Sequence, residues 1–217
     1  MKTDVRRLPC AYAVVIIVNI VLCSLAYIFF PAWRPSLQNE GHLVENMSAA
    51  LYFGSALLGF FMLLRVKEKK TRIVYLVIPF LGLMGFLEEI SFGERLFNIQ
   101  MPRIGNFKID GLHDLIQVAY WELAKHKYDY FWLYLFLFAF FSVAAFFIIR
   151  RYHRHFMQAL KAYPSYRFVL FSIGFLFVAQ IHDMGFIDLE FGVFLEELFE
   201  LNGAVGLFFA SLSIPAH

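Results

Sequence analysis

The sequence predicts an all-α fold: an integral membrane bundle of about six transmembrane helices, residues 1–217 forming one domain, with an extracytoplasmic interfacial helix between the third and fourth spans. Three observations lead there. Hydrophobic residues make up 60% of the chain, 28 residues are Phe, and mean hydropathy is +0.64, which is more apolar surface than a water-facing domain can hide. The apolar residues fall into six stretches, each about long enough to cross ~30 Å of hydrocarbon at ~1.5 Å per residue. The charges between the stretches segregate by sign. Because every backbone polar group needs an internal partner in lipid, helices are the default for such stretches.

The first span, Cys10–Phe30, follows Lys2, Arg6 and Arg7 and so mimics a secretory signal. Its apolar run exceeds the ~7–15 residues of a signal's hydrophobic region. Phe29-Phe30-Pro31-Ala32-Trp33 reads as an interfacial exit with Trp as anchor, not as a small-residue cleavage site, so the span is expected to be retained. Cys10 and Cys23 lie on this one helix at different heights and cannot pair, so they do not report the redox compartment. The remaining spans are Asn46–Leu64, Ile73–Ile90, Tyr130–Ile149, Phe168–Phe186 and Phe191–Ile214. Small-residue steps at Ala50/Gly54, Ser55/Gly59 and Gly206/Ala210 are expected helix-packing contacts.

Basic residues orient the bundle. Lys2, Arg6 and Arg7 precede the first span; Arg65, Lys67, Lys69, Lys70 and Arg72 follow the second; Arg150, Arg151, Arg154, Lys161 and Arg167 follow the fourth. All three groups land on one side, which the positive-inside rule makes cytoplasmic, together with both termini. That side holds thirteen Lys and Arg against two acids, Asp4 and Glu68; the other side holds six against fifteen. Short juxtamembrane basic clusters suit anionic lipid, so the expected partners are membrane lipids and nucleic acid is not among them. His153 and His155, inside such a cluster, read as headgroup contacts.

Helical rise then places the acidic residues in depth. Glu88 and Glu89 fall ~22–24 Å from the cytoplasmic edge of the third span, and His182 and Asp183 ~21–23 Å along the fifth. The sixth span enters from outside, so Glu196, Glu197 and Glu200 lie ~8–14 Å below its start. All these groups share one slab ~6–14 Å beneath the outer surface. Glu45 stands at the outer start of the second span, with Glu40 about a turn beyond it. An acid in a span costs ~2.5–3.5 kcal/mol even on the forgiving insertion scale. The positive helix ends relieve Glu45, Glu196, Glu197 and Glu200, whereas Glu88, Glu89 and Asp183 sit where the macrodipole repels anions. Clustered carboxylates need neutralising, and a divalent cation held by carboxylate oxygens and imidazole would do it.

The 39-residue segment Ser91–Asp129 is too long for a plain loop. Ile109, Leu112, Ile116, Ala119 and Leu123 recur in it at helical spacing, with Asp110 as N-cap, while Tyr120, Trp121 and Tyr128 suit the headgroup region. An interfacial helix here would lower His113 toward the acidic slab.

These residues also carry a resemblance. Glu88-Glu89-Ile90-Ser91-Phe92-Gly93-Glu94-Arg95, then Pro102 and Leu112-His113, resembles an uncharacterised family of bacterial multi-pass membrane proteins that read Glu-Glu-Ile-Ser-Trp-Gly-Gln-Arg, a Pro and Leu-His-Asn. Glu40-Gly41-His42-Leu43-Val44-Glu45 and Glu196-Glu197 are similar to that family's other acidic elements, the first with spacing different by one. The chain departs from the pattern at Phe92, Glu94 and Asp114. The resemblance implies a shared acidic/His site and a bacterial inner membrane, and nothing about substrate.

The expected site therefore has Glu88, Glu89, His113, His182 and Glu196 as metal ligands, Glu197 and Glu200 as catalytic bases for a bound water, and Glu45, Arg95 and Asp183 as further candidates. Three functions stay open. One is a metal-dependent enzyme acting on a lipid-like or envelope substrate; another is a cation- or proton-coupled transporter; the third is a noncatalytic assembly or sensor protein. No phosphate loop, paired-Cys motif, HExxH or G-x-S-x-G is present, and no internal repeat supports transport.

Overall fold

The computed structural model describes residues 8–39, 41–67, 69–97, 103–104, 107–108, a scatter of positions between 136 and 163, 165–183 and 191–214. Contacts group the chain into two units, Met1–Gln100 with Pro164–His217, and Met101–Tyr163. In the first unit the elements are helices: α1 (Leu8–Phe29), a 3-10 turn (Pro31–Trp33), α2 (Arg34–Gln38), α3 (Leu43–Arg65), α4 (Lys69–Tyr75), α5 (Val77–Glu89), a second 3-10 turn (Ser91–Gly93), α6 (Glu94–Phe97), α7 (Ser165–Asp183) and α8 (Gly192–Leu212). The second unit contributes one two-residue antiparallel pair, Arg103–Ile104 with Phe107–Lys108, and helical positions such as Phe136, Phe140 and Phe147 that are exposed.

Three helical stretches are long and apolar enough to cross a membrane: Leu8–Phe29, Pro31–Arg65 (which contains α3) and Ser165–His182. They coincide with the first, second and fifth expected spans. α8 covers the sixth with 21 residues but carries three glutamates within its first nine. The third is interrupted, with Leu76 standing between α4 and α5. Pro79 accounts for the break, since its ring nitrogen cannot donate to the Tyr75 carbonyl one turn back and its ring crowds that carbonyl. The fourth span and the interfacial helix fall almost wholly outside the described residues.

Close contacts set the register of the first unit. Moving along α3 from Gly59 through Ala56 to Tyr52, the partners on α5 run from Pro79 through Gly82 to Gly85, so these helices are antiparallel. A Cβ added at Gly82 would lie 2.7 Å from the Ala56 backbone nitrogen, so the two backbones touch where only glycine fits. α7 and α8 are also antiparallel: the Ser165 hydroxyl donates to the Ser213 carbonyl (3.3 Å), Ser172 donates to Gly203 (2.7 Å), and His182 reaches Phe199. α1 runs against α8 through Tyr12–Phe209, a long Asn19–Asn202 contact of 3.5 Å, and Tyr27 stacked on Phe194 at 4.3 Å. α3 lies parallel to α8, with Val44 packed near Phe194 and Leu198, and Gly54 against Phe208. α8 is thus the central helix, with twelve of its 21 residues buried.

Burial departs from that of a water-soluble domain in which polar residues it hides and which apolar residues it leaves outside. Ser48, Ser55, Ser165, Ser172, Asn202 and Ser211 are fully buried, while Ile17, Leu22, Phe60, Phe61, Leu64, Phe171 and Phe177 face outward. Small hydroxyl residues let helices approach and bond across the contact, and the apolar exterior suits hydrocarbon. Ser48, Ser55, Ser211 and Ser213 satisfy their own hydroxyls on carbonyls three or four residues back. This distribution and the three apolar helices are consistent with a membrane protein.

α5 ends abruptly. Ser91, Phe92 and Gly93 all have positive φ (48°, 49° and 97°), which turns the chain immediately after Glu88 and Glu89. Two non-glycine residues in this region cost roughly 1–2 kcal/mol each, so surrounding contacts must hold the turn.

Candidate functional site

The register places the C-terminal end of α5 and the N-terminal parts of α3 and α8 at the same end of the first unit. Buried carboxylates gather there. Glu89, the last residue of α5, is 8% exposed; Glu197 on α8 is 8% exposed; Glu45 in the first turn of α3 is 9% exposed. Glu88, Glu196 and Glu200 are half-buried. Glu45 also acts on its own backbone, since its Oε2 accepts a hydrogen bond from the Gly41 N–H and so fixes the chain entering α3.

Among these groups stands a residue that the sequence did not single out. Tyr52, two turns into α3, is 2% exposed, and its hydroxyl has no hydrogen-bond partner among the described residues. Its ring lies over Gly85: a Cβ there would come within 2.6 Å of Tyr52 Cδ1. Helical side chains lean toward their helix N-terminus, so the ring points toward the acidic end. The carboxylates of Glu89, Glu200 and Glu88 act electrostatically on it. One buried phenol on α3 therefore lies within electrostatic range of Glu88 and Glu89 on α5 and of Glu200 on α8. A readable signal existed, because Glu45, Ser48, Tyr52, Ser55 and Gly59 form a buried polar and small stripe at helical spacing on α3.

His182, one residue before the end of α7, is half-buried; its ring stacks on Phe199 at 6.1 Å and 18°, and its Nδ1 has no partner among the described residues. This puts the imidazole beside α8 at the acidic end. Asp183 is the last residue of α7 and Arg95 lies in α6; their side chains, and all of His113 and Glu40, lie outside the described residues.

Among the described residues no group of three or more His, Cys, Asp or Glu is placed to hold a metal ion. Of the expected ligands, Glu88, Glu89, His182 and Glu196 are not gathered into such a group, and His113 lies outside the described residues. The helix-end argument also changes for α8. Its first turn, starting at Gly192, contains no acid. Since the macrodipole acts within the first turn, Glu196, Glu197 and Glu200 gain little from it.

The arrangement can accept protons, hold a positive group between carboxylates of different helices, and offer the Tyr52 oxygen to a donor. Comparison with protein-family models, curated proteins and solved structures finds no match to the chain, so the family resemblance rests on its motifs alone.

Proposed function

We propose that the chain is a multi-pass inner-membrane protein with six spans and both termini in the cytoplasm, and that the acidic end of its bundle lies under the extracytoplasmic leaflet and binds a cationic group presented there. The observation that carries this reading is the buried Tyr52 hydroxyl, without a partner among the described residues, its ring against Gly85 at the end of the bundle where Glu45, Glu89 and Glu197 are buried. Low-dielectric surroundings make clustered anions costly, so a positive group placed among them is strongly favoured. A lipid or envelope substrate held in this way would meet Glu197 and Glu200 as proton acceptors. Transport is less favoured, because among the described residues the buried acids collect at one end of the bundle.

Thermal unfolding of detergent-purified protein with added cations tests the reading. A ligand at about 100 times its Kd stabilises by roughly 2.7 kcal/mol, and the Glu89→Gln variant should lose that gain. If no cation raises the unfolding temperature of the wild type, or if wild type and variant shift alike, the reading fails.

A further inference from the structure

We infer that the basic end of the first unit holds an anionic phospholipid against the outer face of α4 and α5, its phosphate on Arg72 and the neighbouring lysines and its acyl chains along Leu76 and Phe80. This site lies at the opposite end of α3 from Glu45 and stands independently of the cation-binding reading. Its charge is unbalanced, since residues 65–72 carry Arg65, Lys67, Lys69, Lys70 and Arg72 against Glu68 alone. Arg65, Lys67, Lys69 and Arg72 are exposed. Arg72 is also held in place: its Nε and Nη2 donate to the Val66 carbonyl at 3.3 and 2.8 Å, across the turn between α3 and α4. That tether removes side-chain freedom that an exposed arginine otherwise loses on binding. The N–H groups it leaves over suit a phosphate, which a guanidinium fork recognises.

An apolar track starts directly below this cation. The Leu76 N–H donates to the Arg72 carbonyl (3.1 Å) and the Phe80 N–H to the Leu76 carbonyl (3.3 Å), so Arg72, Leu76 and Phe80 follow one helical line across the break between α4 and α5. Leu76, Phe80 and the adjacent Ile73 are each more than half exposed. Depth agrees as well. The Tyr75 ring meets that of Tyr166, the second residue of α7, at 6.4 Å between centres, and the apolar stretch of α7 starts at Ser165. Arg72 is therefore about one turn beyond the level where hydrocarbon begins, which is where a headgroup phosphate lies. A fixed cation above an exposed apolar line fits a molecule with an anion at one end and hydrocarbon at the other. A soluble phosphate would use only the first of these, and a zwitterionic lipid would bring its own cation to the same cluster.

The experiment uses the full chain, delipidated in detergent and mixed with equal amounts of phosphatidylglycerol and phosphatidylcholine carrying the same acyl chains. Retained lipid is counted by native mass spectrometry. Wild type should retain phosphatidylglycerol selectively. Lys67→Gln/Lys69→Gln changes only exposed side chains and so keeps the fold, and its phosphatidylglycerol retention should fall about 25-fold, roughly fivefold for each charge. Leu76→Ser keeps every charge and should still retain less. Arg34→Gln, which removes an exposed arginine at the other end of the bundle, should retain lipid as wild type does. Equal retention of the two lipids by wild type overturns the inference. So does an equal loss in Arg34→Gln and Lys67→Gln/Lys69→Gln, which would make the effect one of net charge and not of a site. Full retention in Leu76→Ser, or displacement of the bound lipid by glycerol phosphate alone, would assign the cluster to a soluble phosphate and overturn the lipid.

Discussion

Replacing Gly82 by Ala tests the close approach of α3 and α5 on which the placement of Glu88 and Glu89 depends. The added Cβ would lie 2.7 Å from the Ala56 nitrogen, 3.0 Å from the Tyr52 carbonyl oxygen and 3.1 Å from the Ala56 Cα. All three are backbone atoms, so no side chain can swing aside. Restoring ordinary contact means moving the helices apart by roughly 0.7 Å, and a gap of that size forfeits about a quarter to a half of each dispersion contact along the seam. Overpacking of this kind costs about 1–3 kcal/mol, partly offset by the ~1 kcal/mol helix preference of Ala over Gly. Gly174, in the middle of α7 with nothing within 4 Å of its added Cβ, is the internal control and keeps only the gain. Gly174→Ala should therefore be neutral or stabilising, and Gly82→Ala should fall about 2 kcal/mol below it in reversible denaturant unfolding in detergent. Equal behaviour of the two variants would refute the close approach, and with it the register that sets Tyr52 beside the acids.

Three other outcomes follow from the same structure. Ser172→Ala removes the 2.7 Å bond to the Gly203 carbonyl between α7 and α8 and should cost about 0.6 kcal/mol, the usual size for an interhelical bond of this class, in the same unfolding assay. Tyr12→Phe keeps ring contacts with Phe168, Phe171 and Phe209 and deletes a buried hydroxyl that has no partner among the described residues, so it should raise stability by up to about 1 kcal/mol; a loss would show that the hydroxyl is bonded. For orientation, Asn39→Cys and Lys67→Cys in a Cys10→Ser, Cys23→Ser background should differ in intact cells: a membrane-impermeant maleimide labels the first directly and the second only after permeabilisation, and the reverse pattern would invert the topology.

The helical class and the positions of four long helices, three of them apolar enough to cross a membrane, were legible because they depend on local quantities: apolar runs of about twenty residues, and the charges at their ends. α1, α3, α7 and α8 start and stop within about three residues of where composition and charge put them. The interruption at Leu76 was legible in principle from Pro79 but was hidden by the uniform apolarity of Ile73–Ile90. The acidic end was legible too, since helical rise alone brings Glu88, Glu89 and Glu200 to similar depth. What rise cannot give is azimuth. Glu88 and Glu89 are neighbours in sequence, yet only Glu89 is almost fully buried, and Glu196 and Glu197 divide in the same way. That division follows from which face each helix turns inward, which Gly82, Gly203 and Gly206 decide by where they let helices approach and Gly85 by making room for the Tyr52 ring. Tyr52 was missed for a related reason: a tyrosine in a Phe-rich span looks like bulk until its neighbours are known.

Tyr52 and Gly85 should consequently behave as one unit, and a double-mutant cycle can measure it. In Gly85→Ala the new Cβ meets Tyr52 Cδ1, Cε1 and Cγ at 2.6, 2.8 and 2.9 Å. Because Cγ is among them, the ring cannot tilt away and must change rotamer or push α3 outward. In a Tyr52→Ala background those atoms are gone and the same substitution has room. The cost of Gly85→Ala should then shrink, giving a coupling energy of about 0.5–3 kcal/mol, the range for residues in direct contact. Gly82→Ala meets the Ala56 backbone and the Tyr52 carbonyl, which Tyr52→Ala leaves in place, so its cost should be nearly the same in both backgrounds. Equal coupling at the two glycines would mean that the Tyr52 ring does not rest on Gly85. The phenol would then have no fixed direction toward the acids at that end of the bundle.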